Sequence, residues 1–341
     1  MTVSWKAPSN IALVKYWGKH KGQIPANPSV SFTLTNCYTE TSVTFTKLEK
    51  PSDEFQFEFF FEGQHKPAFH PKIVTFFERI QPHLLFLKDF SFKIESRNSF
   101  PHSSGIASSA SAMAALSVCL MQIQKQLNPE VSEEDFWQKA SFLARLGSGS
   151  ACRSVQGSVV VWGEHASVPD SSDLYGISYP LKIHEVFNDY QDTILLIDKG
   201  QKQVSSSVGH DLMHNHPFAN QRFKQAHENI DKLIKAFADG NLETFIEVVE
   251  SEALTLHAMM QTSLPYFILM KPNTLEVIQR IWTFRKETQI PVCFTLDAGA
   301  NVHVLYPNSY KNDVLQFIQQ ELVAFCENKQ YICDQVKSMN K

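Results

Sequence analysis

The chain has 341 residues, 43% of them apolar and 19% charged, and its 31 basic and 35 acidic side chains leave a net charge of −4. That is enough apolar material for sizeable cores and too little charge for a disordered scaffold, and the lack of a basic excess disfavours a nucleic-acid binder. The start, Met1 to Lys6, lacks the basic-then-apolar pattern of a secretory leader, and the most apolar helical stretch, Ser111 to Met121, is too short to span a bilayer. Six scattered cysteines with no CxxC pair read as reduced thiols of a cytoplasmic protein, so neither a disulfide framework nor a zinc site is expected.

Read in order, the first hundred residues are strand-rich. Val30–Leu34 and Thr39–Thr46 alternate with many β-branched residues, and Phe55–Phe61 and Phe90–Ile94 continue the pattern with aromatics. A helix is expected at Lys72–Ile80 between them. A small, Ser-rich stretch, Pro101 to Ser111, runs into an Ala-rich helix at about Ala110–Lys125. A second helix follows at Ser132–Leu146, opened by Ser132 as cap and three acidic residues. Strands are expected at Gly157–Trp162 and Thr193–Ile197. Helices are expected at His216–Asp239, Leu242–Met260 and Thr274–Glu287, then strands at Val292–Leu296 and Val302–Tyr306 and a helix near Asn312–Cys326. The mixture predicts an α+β protein with two lobes, residues 1–186 and 187–341, and a substrate cleft between them.

Four segments carry chemistry. Pro101–Ser111 combines small residues, hydroxyls and a following helix N-terminus, which suits phosphate oxygens or Mg²⁺, although no Walker lysine is present. Leu146–Ser154 places the lone Arg153 among glycines and serines, where its planar fork suits a carboxylate or phosphate. Phe294–Asn301 ends an apolar strand on Asp297 and a tight turn, a common place for a catalytic carboxylate. In Ala7–Lys19, Lys15 stands in an apolar run, where a lysine is costly unless paired. Each segment also reads as ordinary structure: a capped loop, a surface turn, a strand-end turn, a lysine snorkelling to water.

Their joint order is distinctive. Asn10-Ile-Ala-Leu-Val-Lys-Tyr-Trp-Gly-Lys19, Gly105-Ile-Ala-Ser-Ser-Ala110, Gly147-Ser-Gly-Ser-Ala-Cys-Arg-Ser154, Val204-Ser-Ser-Ser-Val-Gly209 and Asp297-Ala-Gly-Ala-Asn301 resemble the GHMP kinase superfamily, and within it the diphosphomevalonate decarboxylases. The segment Glu252 to Ala258 also looks like a helix of that family. The resemblance runs from about residue 3 to about residue 306.

The resemblance implies a two-lobed GHMP fold, with an N-terminal lobe like ribosomal-protein folds and a ferredoxin-like C-terminal lobe. It implies ATP and Mg²⁺ as cofactors, diphosphomevalonate as substrate and a homodimer. The implied reaction phosphorylates the 3-hydroxyl, then eliminates phosphate and CO₂ to leave isopentenyl diphosphate. By the same resemblance Asp297 orients or deprotonates the hydroxyl, Lys15 pairs with it, Arg153 binds the substrate carboxylate, and Asn10 holds Arg153 or the substrate. Tyr16, Lys19 and Ser206 match contacts to the diphosphate end, and Ser148 and Ser150 line the substrate side. Ser103, Ser104, Gly105, Ser108 and Ser109 form the ATP phosphate loop, with Ser109 the metal helper. Lys72 is expected near the terminal phosphate of the substrate, where many relatives place an arginine. Ala300, His102 and Ser207 depart from the usual family residues, which bears on substrate preference and rate.

The alternatives are a decarboxylase or 3-kinase acting on 5-phosphomevalonate or mevalonate, and a non-catalytic ligand-binding regulator on the same fold. Lys19 and Lys72 favour the diphosphate, and intact Lys15, Arg153 and Asp297 disfavour a regulator. His210, His214 and His216 read as polar surface histidines and Cys152 as a packing thiol.

Overall fold

Alternation of apolar and polar residues builds the first sheet. Strand β1 (Thr2–Val14) leads through two short strands, β2 (Lys19–His20) and β3 (Ile24–Pro25), into β4 (Ser29–Lys47). β5 (Gln56–Phe61), β6 (Gln64–His65), helix α1 (His70–Ile80), β7 (Phe90–Asn98), α2 (Ser108–Leu127), α3 (Glu133–Gly147), β8 (Val159–Trp162) and β9 (Ile177–Ser178) follow. The structure is a computed structural model and describes residues 1–101, 106–200 and 206–338, the side chains of residues 206 and 207 excepted.

β4 is the spine of this sheet. β1 runs antiparallel along most of its length, β8 pairs with Ser29–Phe32, and β7 pairs with Thr39–Lys47. β5 joins the far edge of β7 in parallel. The sequence predicts two strands where β4 is one. The reason lies between them: the Asp334 carboxylate accepts the backbone N–H groups of Thr35, Asn36 and Cys37 at 2.9, 2.8 and 2.7 Å, so the chain stays extended. Helices α1, α2 and α3 cover the sheet over a core that includes Phe76, Phe77, Phe92, Leu116 and Leu143. Ser132 caps α3 as expected, its hydroxyl accepting from Asp135 N at 3.1 Å.

The second half holds β10 (Gln191–Leu195), α4 (Ser206–Asp211), α5 (Ala219–Asp239), α6 (Leu242–Gln261), α7 (Pro272–Thr288), β11 (Cys293–Leu296), β12 (Val302–Tyr306), α8 (Lys311–Phe317) and β13 (Tyr331–Gln335). Its four strands form an antiparallel sheet in the order β11-β12-β10-β13. Gly240, at φ +73°, breaks α5 from α6, and the Asn241 side chain caps α6 by accepting from Thr244 N at 3.0 Å. α5 starts three residues later than the sequence predicts, because the His216 ring turns back to accept from Phe218 N at 3.1 Å. The final predicted helix is broken: after α8 the chain makes a π turn at Ile318–Leu322 and a 3-10 turn at Val323–Phe325. β1, β13 and the two-residue strands β2, β3, β6 and β9 escape the sequence reading, β1 because Pro8, Ser9 and Asn10 interrupt its alternation, the others because they are short.

The two sheets meet over apolar side chains. The Phe32 ring of β4 lies 6.0, 6.0 and 6.1 Å from those of Tyr190, Phe237 and Phe245. A backbone bridge between Leu34 and Val336 ties β4 to the end of β13. Among the described residues no helix is long and apolar enough to cross a membrane. All six cysteines are free, and only Cys333 is exposed.

Candidate active site

The end of β1 and the turn after β11 bring Lys15 and Asp297 together between the sheets. Lys15 is 2% exposed, and its ammonium lies 3.4 Å from Asp297 Oδ1. Burial pushes the Lys15 pKa down, while Asp297 and then Glu252 partly restore it. The Asp297 side chain is 27% exposed and so opens to the cleft. Its carbonyl closes the turn by accepting from Gly299 N at 2.7 Å and is held by His257 Nε2 at 3.1 Å. A carbonyl only accepts, so His257 carries its proton on Nε2. Burial lowers that histidine's pKa to about 4, so the ring is neutral.

Arg153 rises from the short 3-10 segment Gly149–Ser154 and is 3% exposed. Its Nε and Nη2 reach Asn10 Oδ1 at 3.4 Å each, its Nη1 donates to Ser29 Oγ, and its guanidinium lies 5.9 Å from the Trp162 ring centre. Asn10 is in turn fixed by donating to Ser154 Oγ at 2.7 Å and to Ser150 O at 3.4 Å. Among the described residues, no carboxylate lies within ion-pair distance of Arg153. Burial lowers its pKa, opposed by Cys152, Asp297 and Tyr16. A buried cation held by neutral groups is costly, and an anion would offset that cost.

The Tyr16 ring is packed between Trp162 and His210, with centroids at 4.6 and 4.2 Å. Its hydroxyl lies against Gly149, where any Cβ would meet it at 2.7 Å. Burial pushes the Tyr16 pKa up. Lys19 lies 3.9 Å from Asp211 at the end of α4, the helix that Ser206 starts. His210 and His216 are buried, which corrects the surface reading. His210 Nδ1 accepts from Gly18 N at 3.0 Å, and burial lowers its pKa to about 3. Among the described residues no cluster of three or more metal-ligating side chains exists. Cys152 packs as expected, its thiol donating to Gly149 O at 3.1 Å with a pKa pushed up to about 12.

Ser108 and Ser109 open α2. Lys72 donates to Ser109 Oγ at 2.8 Å. Its described partner is therefore on the helix that follows the phosphate loop. Although the residue is exposed as a whole, the surroundings of its ammonium push its pKa down. Lys72, Ser108 and Ser109 border a cavity of about 90 Å³ lined by Phe59, Phe61 and Phe69. Ser148 ends α3 with its N–H on Ala144 O at 3.0 Å. Ser103, Ser104 and Gly105 lie outside the described residues, as does the side chain of Ser206.

Sequence reasoning singled out the segment from Glu252 to Ala258 but missed the roles of Glu252 and His257, and missed Arg222 altogether. Glu252 and Arg222 form an ion pair with both side chains 0% exposed. The signal was a lone arginine on the buried face of one helix and acids, Glu250 and Glu252, among the buried residues of the next.

A two-lobed α+β molecule, with a serine-rich segment leading into a helix and a lysine–aspartate pair between the lobes, defines a GHMP kinase-type enzyme. Residues 7–173 match the diphosphomevalonate decarboxylase-like N-terminal domain, and residues 193–341 match the mevalonate 5-diphosphate decarboxylase C-terminal domain. The chain belongs to the diphosphomevalonate decarboxylase family, and it is an ATP-dependent decarboxylase of diphosphomevalonate. The structure is similar to mevalonate diphosphate decarboxylase from Staphylococcus aureus, at 30% identity and TM-score 0.83 over 99% of this chain and 97% of that one. It is similar to a protein named MDDEF in complex with MVAPP, AMPPCP and magnesium, at 28% identity and TM-score 0.82 over 99% and 98% of the two chains. The diphosphomevalonate decarboxylase of Candida albicans is 27% identical over 93% of this chain and 87% of its own length.

Proposed function

We propose that decarboxylation here proceeds by 3-phosphorylation followed by elimination, with the work divided among the residues of the cleft. The observation that carries this reading is Arg153, a buried guanidinium whose hydrogen-bond partners among the described residues are all neutral, beside a preformed Lys15–Asp297 pair. Arg153 and Asn10 fix the substrate carboxylate and so the torsion about the bond that will break. Asp297 orients the 3-hydroxyl and takes its proton as oxygen attacks the γ-phosphorus of ATP. Lys15 offsets charge on the transferring phosphoryl group. Phosphate, unlike hydroxide, can leave the tertiary carbon. As it departs, the bond to the carboxylate carbon supplies the electrons of the new double bond, and CO₂ is released.

Tyr16 and Lys19, with Ser206 at the start of α4, take the diphosphate end, and Ser148 and Ser150 line the same side. Ser103, Ser104, Gly105, Ser108 and Ser109 take the ATP phosphates at the positive end of α2. Lys72 serves that nucleotide site, because its ammonium sits on Ser109. The phenylalanine-lined cavity beside it suits part of a planar base. The donor set fits Mg²⁺ carried largely by the nucleotide, since that ion keeps waters and needs only one or two protein ligands. Ser109 and the phosphates would hold it, and it would neutralise phosphate charge. We propose also that the divide between lobes falls near residue 186, that the enzyme is cytoplasmic, in keeping with its free cysteines, and that it is a homodimer, as the family resemblance implies.

The test uses purified protein, ATP, Mg²⁺ and carboxyl-labelled diphosphomevalonate. Equal yields of ADP and CO₂ are expected. ADP without CO₂ would show phosphorylation uncoupled from elimination and refute the division of roles.

A further inference from the structure

Lys15 belongs to the first sheet by sequence, yet its backbone is gripped from the second half. Its N–H donates to Glu252 Oε2 at 2.8 Å, and its carbonyl accepts from Arg222 Nη2 at 3.1 Å. Glu252 is bound through both oxygens by Arg222 and accepts a further bond from Asn229 at 2.6 Å. Five residues along the same helix, His257 holds the carbonyl of Asp297 at 3.1 Å. One helix thus holds both members of the pair by their backbones, at stations roughly 7.5 Å apart along its axis. The Arg222–Glu252 pair also leaves Arg222 Nε buried without a partner. Stability alone is a poor reason to keep such a pair, because apolar residues of similar volume fill such a space as well or better.

We infer that Glu252 and Arg222, together with His257, are positioning residues that set Lys15 against Asp297. They lock the catalytic lysine to the C-terminal half so that the pair stands ready before substrate arrives. The inference rests on the roles given above to Lys15 and Asp297. Neither Glu252 nor Arg222 is asked to touch substrate, so their loss acts on kcat rather than on binding.

The experiment compares Arg222→Met/Glu252→Leu, Arg222→Lys and Lys15→Met with the natural enzyme, measuring kcat and both KM values after folding is checked by circular dichroism. The double variant removes both charges together and leaves the Lys15 carbonyl its bond from Asn27, at 2.9 Å. Its kcat is expected to fall about tenfold or more while KM for diphosphomevalonate and ATP stays within about threefold. Arg222→Lys keeps a cation beside Glu252 and is expected to lose about threefold in kcat alone. A folded double variant with natural kcat overturns the inference, as does a fall in kcat matched by an equal rise in KM. Should the double variant not fold, natural kcat in Arg222→Lys overturns it, and a kcat loss at constant KM upholds it. Full turnover in Lys15→Met would instead remove the role of Lys15, and this inference with it.

Discussion

Two buried cations lie in one cleft and are treated in opposite ways. Lys15 is completed by the protein: a carboxylate faces its ammonium, and helix α6 and Arg222 hold its backbone. Arg153 is packed and aimed by Asn10, Ser29 and Trp162, but no described carboxylate completes it. The first arrangement is what a group needs when it must act without rearranging. The second is what a group needs when its counter-charge arrives with the substrate. Burial raises the cost of both; around Lys15 a carboxylate in ion-pair contact offsets it before binding, while Arg153 feels Asp297 only from beyond that distance.

The difference can be broken from the Lys15 side first. Asp297→Asn keeps the shape of the turn but removes the base, and kcat should fall about 1,000-fold or more with ATP binding retained, read by ADP release and nucleotide titration. Near-natural turnover would show that the pair does no chemistry. Arg153→Met comes next. It should cost about 100-fold in kcat/KM for diphosphomevalonate, the scale of a lost charge-assisted contact. The same variant should raise the Tm of the free enzyme, because it removes a buried charge without an anionic partner. A lowered Tm would mean that Arg153 is a structural ion and that its partner is already present.

Acid sharpens the contrast further. The neutral, buried His257 titrates near 4, whereas an exposed imidazole titrates near 6.5. Below that upper value the unfolded chain binds a proton that the native state refuses, so stability is full above about pH 6.5 and drains away as pH falls toward 4. The loss from this residue should be about 2 kcal/mol between pH 7 and 4.5, and His257→Gln should remove it from urea titrations at the two pH values. An unchanged pH slope in that variant would mean that another group accounts for the loss. The smallest effect belongs to Lys72→Ala. KM for ATP should rise about fivefold while KM for diphosphomevalonate holds, since one ammonium is lost from the nucleotide side. The reverse pattern would favour the sequence expectation, Lys72 at the substrate's terminal phosphate.

Much of this was legible in the sequence. Every long helix and most of the longer strands are legible to within a few residues, because their periodicities are strong; two of the helices, opened by Ser132 and Asn241, also carry ordinary side-chain caps. Lys15, Arg153 and Asp297 stood out because each is a lone charge in an apolar or small-residue stretch. What stayed hidden was pairing at long range. That Glu252 would meet the backbone of Lys15, 237 residues away, has no trace in local pattern. Lys72 is a further case: a lysine in a helix announces a charge but not its direction, which Ser109 supplies. His210 shows the converse case, a polar residue drawn inward by the Tyr16 and Trp17 rings packed against it.

The aromatic seam in which Phe32 meets Tyr190, Phe237 and Phe245 has an evolutionary reading. Modules that shuffle freely between genes meet through polar, hydrated faces and tolerate a new neighbour. Here each half supplies part of one apolar interior, so a recombination point between them would pair two surfaces never shaped for each other. The halves are therefore bound to be inherited as a couple, and a substitution on one side of the seam sets the terms on which the other side can drift.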